Sequence, residues 1–229
     1  MDKERPGPPP VSGGASDPSA PEQAASPPAQ ERRPSAAAEP PLTVGPFLDA
    51  RILIAMPGIG DPRFDRAVLL VCIHDEEQAM AIAVNRPMNG LRLPSLLKRL
   101  GARSDGVPDA PVMLGGPCGR DRGYVLHTED YWSSGSTLKV APGVGLTDTR
   151  DVLDALGDAA RRPRRSILAL GYAGWGAGQL EQEIRDGVWL SCDPDEELVF
   201  GDDHDAKWTL ALAKLGVTAA QLSSQAGWA

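Results

Sequence analysis

Three short apolar runs in the first half of the chain restrict the folds that are open to it. They span Arg51–Met56, Ala67–Ile73 and Ala79–Val84, and Pro, Gly or charged residues bound each of them. Runs of this length and composition are typical of strands buried on both faces. Only five residues separate the second run from the third. A parallel crossover needs a dozen residues or more, so the sequence predicts that these two strands form an antiparallel hairpin.

The rest of the body alternates between strand-like and helix-like patterns. Further strands are predicted at 111–114, 124–127, 137–140, 166–172, 188–190 and 197–200. Helices are predicted over 94–100, from a Thr147 cap through Ala160, around Leu180 and Ile184, and from Trp208 to Leu215. We therefore expect an α+β domain with a mixed, largely antiparallel sheet and flanking helices, and not a doubly wound parallel sheet.

Residues 1–41 have a different composition from the rest of the chain. They hold 11 of the 22 prolines and no aromatic residue, and their only larger apolar residues are Met1 and Val11. Such a segment has too little apolar surface to offset the cost of ordering its backbone. We expect a disordered Pro/Ala-rich tail over 1–41 and a single globular domain over 42–229.

The charge balance argues against nucleic acid as a direct partner. The chain carries 23 Lys and Arg against 31 Asp and Glu, a net charge of −8, whereas affinity for phosphate backbones comes from clustered cations. No apolar run reaches the roughly 18 residues of a membrane-spanning helix, and no secretory signal is apparent. We expect a cytoplasmic protein without a membrane partner.

Neither a metal nor a cofactor is indicated by the sequence. The three cysteines, Cys72, Cys118 and Cys192, form no CxxC pair. The acidic run Asp202–Asp205 is interpreted as a helix entry, with Asp203 or Asp205 as the cap. His74 lies beside two acidic residues in the expected hairpin turn, so we expect it to be solvated.

Two patterns keep other functions open. Cys118 and His127, nine residues apart, could serve a hydrolase or a transferase as a nucleophile and base if the fold brought them together. The cluster Arg161–Arg165 could contact phosphates in a direct DNA-binding regulator, although cations also suit the C-terminal end of a helix.

Segments rich in Gly and Pro lie at the ends of the predicted strands. Small and rigid residues suit turns, but they also allow backbone to approach a ligand. We predict that seven residues from these segments line one pocket at an edge of the sheet, with Arg86 supplying charge and Trp175 an apolar wall. The candidates are Asn85, Arg86, Gly115, Gly116, Gly174, Trp175 and Gln179.

The same segments, read in order, resemble the bacterial AlgH (YqgE) family. The resemblance covers about residues 45–229. It is carried by Leu53–Pro57 with Asp61 and Phe64, Asn85–Pro87, Gly115–Pro117, Arg122–His127, Leu146–Thr147, Gly171–Trp175, Gly178–Glu181, Glu183, Trp189, Phe200 and Lys207–Trp208. It implies a compact α+β fold with a mixed sheet curled into a pseudo-barrel, in a cytosolic protein.

The resemblance implies no settled activity. Some family members have been labelled transcriptional regulators, and the family has no agreed catalytic residues. The hypothesis that combines residues and resemblance is a non-enzymatic binding protein for an unknown small molecule or protein, with an indirect role in gene expression. A hydrolase or transferase near Cys118 and His127, and a direct DNA-binding regulator, are the alternatives.

Overall fold

One long strand late in the chain organises the sheet. In the computed structural model, which describes residues 47–225, this strand runs from Ser166 to Gly176. It pairs with an earlier strand on each side and, in its first half, with a parallel strand as well. Its three partner strands are therefore anchored to it.

The described elements follow one another in the order that the sequence predicts, with additions. The strands are β1 (Ile52–Ala55), β2 (Val68–His74), β3 (Gln78–Ala83), β4 (Pro87–Arg92), β5 (Pro111–Leu114), β6 (Cys118–Thr128), β7 (Thr137–Ala141), β8 (Val144–Thr147), β9 (Ser166–Gly176) and β10 (Trp189–Cys192). The helices are α1 (Leu93–Arg99), α2 (Arg150–Leu156), α3 (Gln179–Arg185), α4 (Glu196–Phe200), α5 (Lys207–Lys214) and α6 (Ala219–Gln225), with a short 3-10 turn at Pro62–Phe64.

The strands form a curled sheet in the order β10-β1-β2-β3-β9-β6-β8-β7. β5 joins β9 as a parallel partner and also pairs with β4, and the other described ladders are antiparallel. β7 contacts β2, so the sheet curls into a half-barrel flanked by helices. The expected α+β class, the curled, largely antiparallel sheet and the β2–β3 hairpin are confirmed.

The apolar runs are long because the central strands are covered on both faces. Along β2, Val68 and Leu70 belong to the core enclosed by the curl, while Leu69 and Val71 belong to a second core on the outer face. Helix α3 covers that outer face through Leu180. Burying both faces of one strand removes the alternation of polar and apolar residues that marks a half-exposed strand.

Two sequence-based assignments are wrong. The segment 197–200 is the helix α4 and not a strand, because Asp195 caps it by accepting a hydrogen bond from the Leu198 N–H at 2.8 Å. Its apolar run is too short for periodicity to distinguish the two states. Thr147 does not cap a helix: it ends β8, and α2 begins at Arg150 and ends at Leu156.

His74 is also placed differently from the expectation. The side chain is buried and not solvated, with 4% of its surface exposed. Its Nδ1 accepts a hydrogen bond from the Leu48 N–H at 2.7 Å, and its Nε2 lies 3.2 Å from a carboxylate oxygen of Glu181. The turn itself is stabilised by Asp75, whose Oδ1 accepts hydrogen bonds from the backbone N–H groups of Glu77 and Gln78.

Some expectations fall outside the part of the chain that the structure describes. The predicted tail over 1–41 and its boundary with the body lie there. Within residues 47–225, no helix is both long enough and apolar enough to cross a membrane.

Candidate functional site

A groove runs beside the loop that joins β1 to β2. It consists of three adjoining depressions, and each shares wall residues with the next. The tryptophan depression, about 510 Å³, lies against α3, and the middle depression, about 170 Å³, lies at the loop. The outer depression, about 590 Å³, continues to β4 and to the segment that precedes α5.

Three arginines and no carboxylate-bearing residue contribute to the walls described for the middle depression. They are Arg63, Arg86 and Arg120. Phe64 and Pro117 supply apolar surface between them. In a chain with a net charge of −8, this is a local concentration of positive charge. Guanidinium groups around a small concave surface suit an anion.

Asn85 and Arg86 hold the loop that carries Arg63. The Asn85 side chain accepts a hydrogen bond from the Val68 N–H and donates one to the Arg66 carbonyl, both at 2.9 Å. Arg86 Nη1 donates to the Asp65 carbonyl at 2.8 Å. Asn85 is therefore committed to the backbone, whereas the guanidinium of Arg86 has further N–H groups available for a ligand.

Arg63 is oriented by its neighbour Asp61. The Asp61 carboxylate accepts hydrogen bonds from the backbone N–H and the Nε of Arg63, each at 2.9 Å. The side-chain hydrogen bond from Arg63 lowers the pKa of Asp61, and the same bond raises the pKa of Arg63. Arg120 is exposed, and it makes no ion pair or side-chain hydrogen bond within the described part of the chain.

Gly115 and Gly116 lie where two strands leave no room for a side chain. A Cβ atom on Gly116 would lie 2.1 Å from the carbonyl carbon of Tyr172, and one on Gly115 would lie 2.2 Å from the Gly171 oxygen. Gly116 contributes to the wall of the middle depression, whereas Gly115 lines none of the three depressions. Both glycines allow the end of β5 to pass close to β9.

A carboxylate with three donors organises the tryptophan depression. Glu183 Oε2 accepts hydrogen bonds from the indole N–H groups of Trp175 and Trp189, both at 2.8 Å. Its Oε1 accepts one from Gln179 Nε2, also at 2.8 Å. The two indole rings meet edge to face at 6.0 Å, and Trp189 meets Phe64 in the same way at 5.5 Å.

The structure places six of the seven predicted site residues along this groove. Asn85 and Arg86 line the outer depression, Arg86 and Gly116 the middle one, and Gly174, Trp175 and Gln179 the tryptophan depression. Trp175 presents little surface, since only 6% of it is exposed. The sequence reasoning did not name Arg63, Arg120, Phe64 or Trp189 as site residues. The Asp61–Pro62–Arg63 order indicates a capped turn, but it does not reveal which way the Arg63 side chain points.

Cys118 and His127 do not form a pair. They lie at opposite ends of β6, where they face Tyr172 and Ser166 of β9, so about 20 Å of strand separates them. His127 is completely buried, and its ring nitrogens lie 2.9 Å from Thr147 Oγ1 and 3.0 Å from the Thr128 carbonyl. Burial lowers the pKa of His127. A shared nucleophile and base at these two positions is therefore wrong.

The basic cluster Arg161–Arg165 is largely engaged within the protein. Arg162 donates to the carbonyls of Leu156 and Gly106 at 2.7 and 2.9 Å. Arg164 forms a two-pronged pair with Glu196, and Arg165 donates to a backbone carbonyl of α4. These arginines connect α2 to its neighbours. Among the described residues, no group of three or more His, Cys, Asp or Glu is arranged to hold a metal ion.

The match to a family model decides the relationship of the chain to known proteins. The model described as AlgH-like matches residues 52–220. The chain belongs to the AlgH-like family. Among curated relatives, a UPF0301 protein of Caulobacter vibrioides is 62% identical over 184 residues, which are 80% of this chain and 94% of that protein. A UPF0301 protein of a Bradyrhizobium species is 47% identical over 193 residues, covering 81% and 89%.

Solved structures agree with the AlgH-like fold. The solution structure of the AlgH protein from Pseudomonas aeruginosa superposes with a TM-score of 0.63 at 38% identity, covering 84% of this chain and 99% of that one. A crystal structure of a Corynebacterium diphtheriae protein has a TM-score of 0.56 at 17% identity, which shows a shared fold alone. The sequence-based family assignment is confirmed.

In this AlgH-like protein, Glu183→Ala is expected to lower the free energy of unfolding by about 2 to 4 kcal/mol. The substitution leaves the indole N–H groups of two buried tryptophans without their acceptor, and each unsatisfied buried donor costs about 1 to 3 kcal/mol. The exposed amide of Gln179 can bond to water instead. Urea denaturation followed by tryptophan fluorescence measures the change. Asp186→Ala, which removes an exposed acceptor on the same helical segment, is the matched control. Equal stability losses in the two variants would contradict the role of Glu183.

Proposed function

We propose that this protein is a cytoplasmic binding protein for a small organic anion, which the groove holds without converting it chemically. The observation that carries the proposal is the set of three arginines around the middle depression, whose described walls contain no Asp or Glu. A carboxylate, phosphate or sulfonate group would accept hydrogen bonds from the guanidinium N–H groups of Arg86 and Arg120. Arg63 is already paired with Asp61, so it would contribute the N–H groups that Asp61 does not use and no net charge.

The neighbouring walls favour a ligand with a ring-sized apolar body. Phe64 contributes to both the middle and the tryptophan depressions, and the edges of Trp175 and Trp189 continue this surface. Pockets that are mainly apolar and carry a few placed polar groups are the usual form of small-molecule sites. The anionic group would lie at the arginines and the ring against Phe64.

The environment of the other candidate groups supports binding over the two alternatives. The only cysteine in the described groove walls is Cys118, and the histidine in those walls, His204, lies in the outer depression, which Cys118 does not line. The arginine cluster after α2 is occupied by internal partners. A role in gene expression would therefore be indirect, through a partner that distinguishes the loaded protein from the empty one.

Arg120→Met is expected to weaken binding of an anionic aromatic probe by about threefold to tenfold. The probe is anilinonaphthalene sulfonate, whose sulfonate would lose one charge-assisted hydrogen bond, and each 1.4 kcal/mol corresponds to a factor of about ten. Arg120 has no internal side-chain partner in the described region, so the fold should be unaffected. Fluorescence titration of the probe at low and high salt measures the dissociation constant, which should rise with salt.

Arg99→Met is the matched control. It removes the same charge from the exposed end of α1, away from the groove walls. We expect the dissociation constant of this variant to stay within about twofold of the wild-type value. If the two variants bind the probe equally, or if the wild-type protein shows no salt-dependent binding, the arginines do not form an anion site.

A further inference from the structure

A second cavity opens at the end of the curled sheet, beside the tryptophan depression, with which it shares Cys118, Gly174 and Trp175 as wall residues. Its volume is about 600 Å³, and its walls come from β2, β3, β6, β7, β8 and β9. Partly buried Ile73, Met80 and Tyr172 pack against the enclosed core with one side and line this cavity with the other. We call it the barrel-mouth cavity. Its base is continuous with the hydrophobic core.

The cavity exists because β9 carries glycines at positions where a larger side chain would fill the space. Tyr172, Gly174 and Gly176 follow the same face of β9, and the last two lie opposite Met80 and Gln78 of β3. A Cβ atom on Gly174 would lie 3.0 Å from the ring of Tyr172, which shows how closely that ring lies over the strand. A Cβ atom on Gly176 would meet nothing within 4 Å. The strand therefore leaves open space above the tyrosine.

The charged groups at the rim balance each other. Arg122 Nη2 lies 3.1 Å from Asp148 Oδ2, and its guanidinium lies over the ring of Tyr124 at 5.6 Å. Tyr124 and Tyr172 meet edge to face at 5.9 Å. Burial is the largest cause that raises the pKa of Tyr124, so its hydroxyl stays neutral. In contrast to the arginine-lined groove, this cavity offers aromatic edges and neutral polar groups without a surplus of charge.

We infer that the barrel-mouth cavity is a second ligand site, which takes an uncharged aromatic molecule of about two fused rings. The ring system would pack on Tyr124 and Tyr172 and extend over Gly174 and Gly176. Aromatic pairs of this kind favour edge-to-face and offset arrangements. A polar substituent would reach the amide of Gln78 at the rim. The volume lies within the range of small-molecule sites. This site adjoins the tryptophan depression, but it shares no described wall residue with the middle depression, where the anion site is proposed.

Two probes that share one skeleton separate the two sites. N-phenylnaphthylamine is uncharged, whereas anilinonaphthalene sulfonate carries one sulfonate on the same rings. Gly176→Leu places a side chain in the open space of the cavity, and Gly60→Leu does the same in the tryptophan depression, where a Cβ atom also meets nothing within 4 Å. Neither glycine has a left-handed backbone conformation, so both variants should fold, which circular dichroism checks.

Gly176→Leu is expected to weaken binding of the uncharged probe by about tenfold or more, and Gly60→Leu by less than about twofold. Leu138→Glu, which adds a charge to an exposed wall residue of the cavity, should also weaken it. The inference is overturned if the wild-type protein does not bind the uncharged probe, or if Gly60→Leu weakens its binding as much as Gly176→Leu does. Binding of the sulfonate probe is measured separately and tests the anion site proposed for the groove.

Discussion

Gly116→Ala is expected to destabilise the protein by at least about 3 kcal/mol, a large fraction of the free energy of unfolding of a typical domain. The added Cβ would lie 2.1 Å from the carbonyl carbon of Tyr172 and 2.3 Å from the nitrogen of Ala173. Non-bonded carbon atoms approach to about 3.5 Å. The contacted atoms are backbone atoms of a strand that is paired on both sides, so they cannot move aside without breaking ladder hydrogen bonds.

Urea denaturation of the two proteins measures this loss. Gly60→Ala is the control, because its Cβ would meet no atom within 4 Å and its change should stay within about 0.5 kcal/mol. A Gly116→Ala protein within about 1 kcal/mol of the wild-type stability would show that β5 and β9 are not as close as described. Because Gly116→Ala would act on the stability of the fold, it does not report on ligand binding. Variants at other positions in the groove test binding.

Lys207→Met is expected to remove a rise in stability that the wild-type protein shows between pH 7 and pH 10.5. Lys207 is 1% exposed, and its Nζ donates to the carbonyls of Val84 and Val199 at 2.9 and 2.8 Å. Burial is the largest cause that lowers the pKa of this amine, from 10.5 to about 7. A neutral amine still donates both hydrogen bonds, so the deprotonated form suits the site.

The direction of this stability change follows from the number of protons bound to Lys207 in the folded and in the unfolded chain. Between pH 7 and pH 10.5 the unfolded chain keeps the Lys207 proton and the folded chain does not, so stability increases with pH, by up to about 1.4 kcal/mol per pH unit. Below pH 7 both states are protonated, and this contribution becomes constant. The stability difference between the wild-type protein and Lys207→Met should therefore grow by roughly 2 to 3 kcal/mol from pH 7 to about pH 9.5.

Comparing two proteins across pH removes the contributions of other buried groups. Burial raises the pKa of Cys72 to about 12, which lowers stability at alkaline pH in both proteins equally. Lys98→Met, at an exposed position on α1, controls for the loss of a lysine as such. Stability curves of the wild-type protein and Lys207→Met that run parallel from pH 7 to about pH 9.5 would mean that the buried amine keeps its proton.

The sequence predicts the hairpin well and the short elements poorly, for physical reasons. Five residues between β2 and β3 leave antiparallel pairing as the possible connection, so chain length alone decides it. In 197–200, four residues carry too little periodicity to distinguish a strand from a helix, and the cap at Asp195 decides for the helix. β4, with exposed Asn89 and Gly90, carries no strand pattern and was not predicted.

Six of the seven residues predicted from the sequence line the groove, but the contacts that they make there could not be predicted. Asn85 and Arg86 follow a strand, which brings them to the groove, yet the Asn85 amide is committed to the backbone of a loop 17 to 19 residues earlier in the chain. Arg120 lies in an unremarkable run of polar residues, and its proximity to Arg86 depends on pairing between distant strands. Such proximity is a tertiary property that local pattern does not encode.

The pairing of the first strand with the last has a consequence for synthesis in the cell. Ile52 of β1 lies opposite Cys192 of β10, and β9 must be in place before β3 and β6 can both find their partner. Contacts between residues so far apart along a chain slow folding. Almost the whole chain must therefore be synthesised and leave the ribosome before the sheet can close. Until then, the nascent strands β1 to β3 expose apolar surface that a chaperone would have to shield.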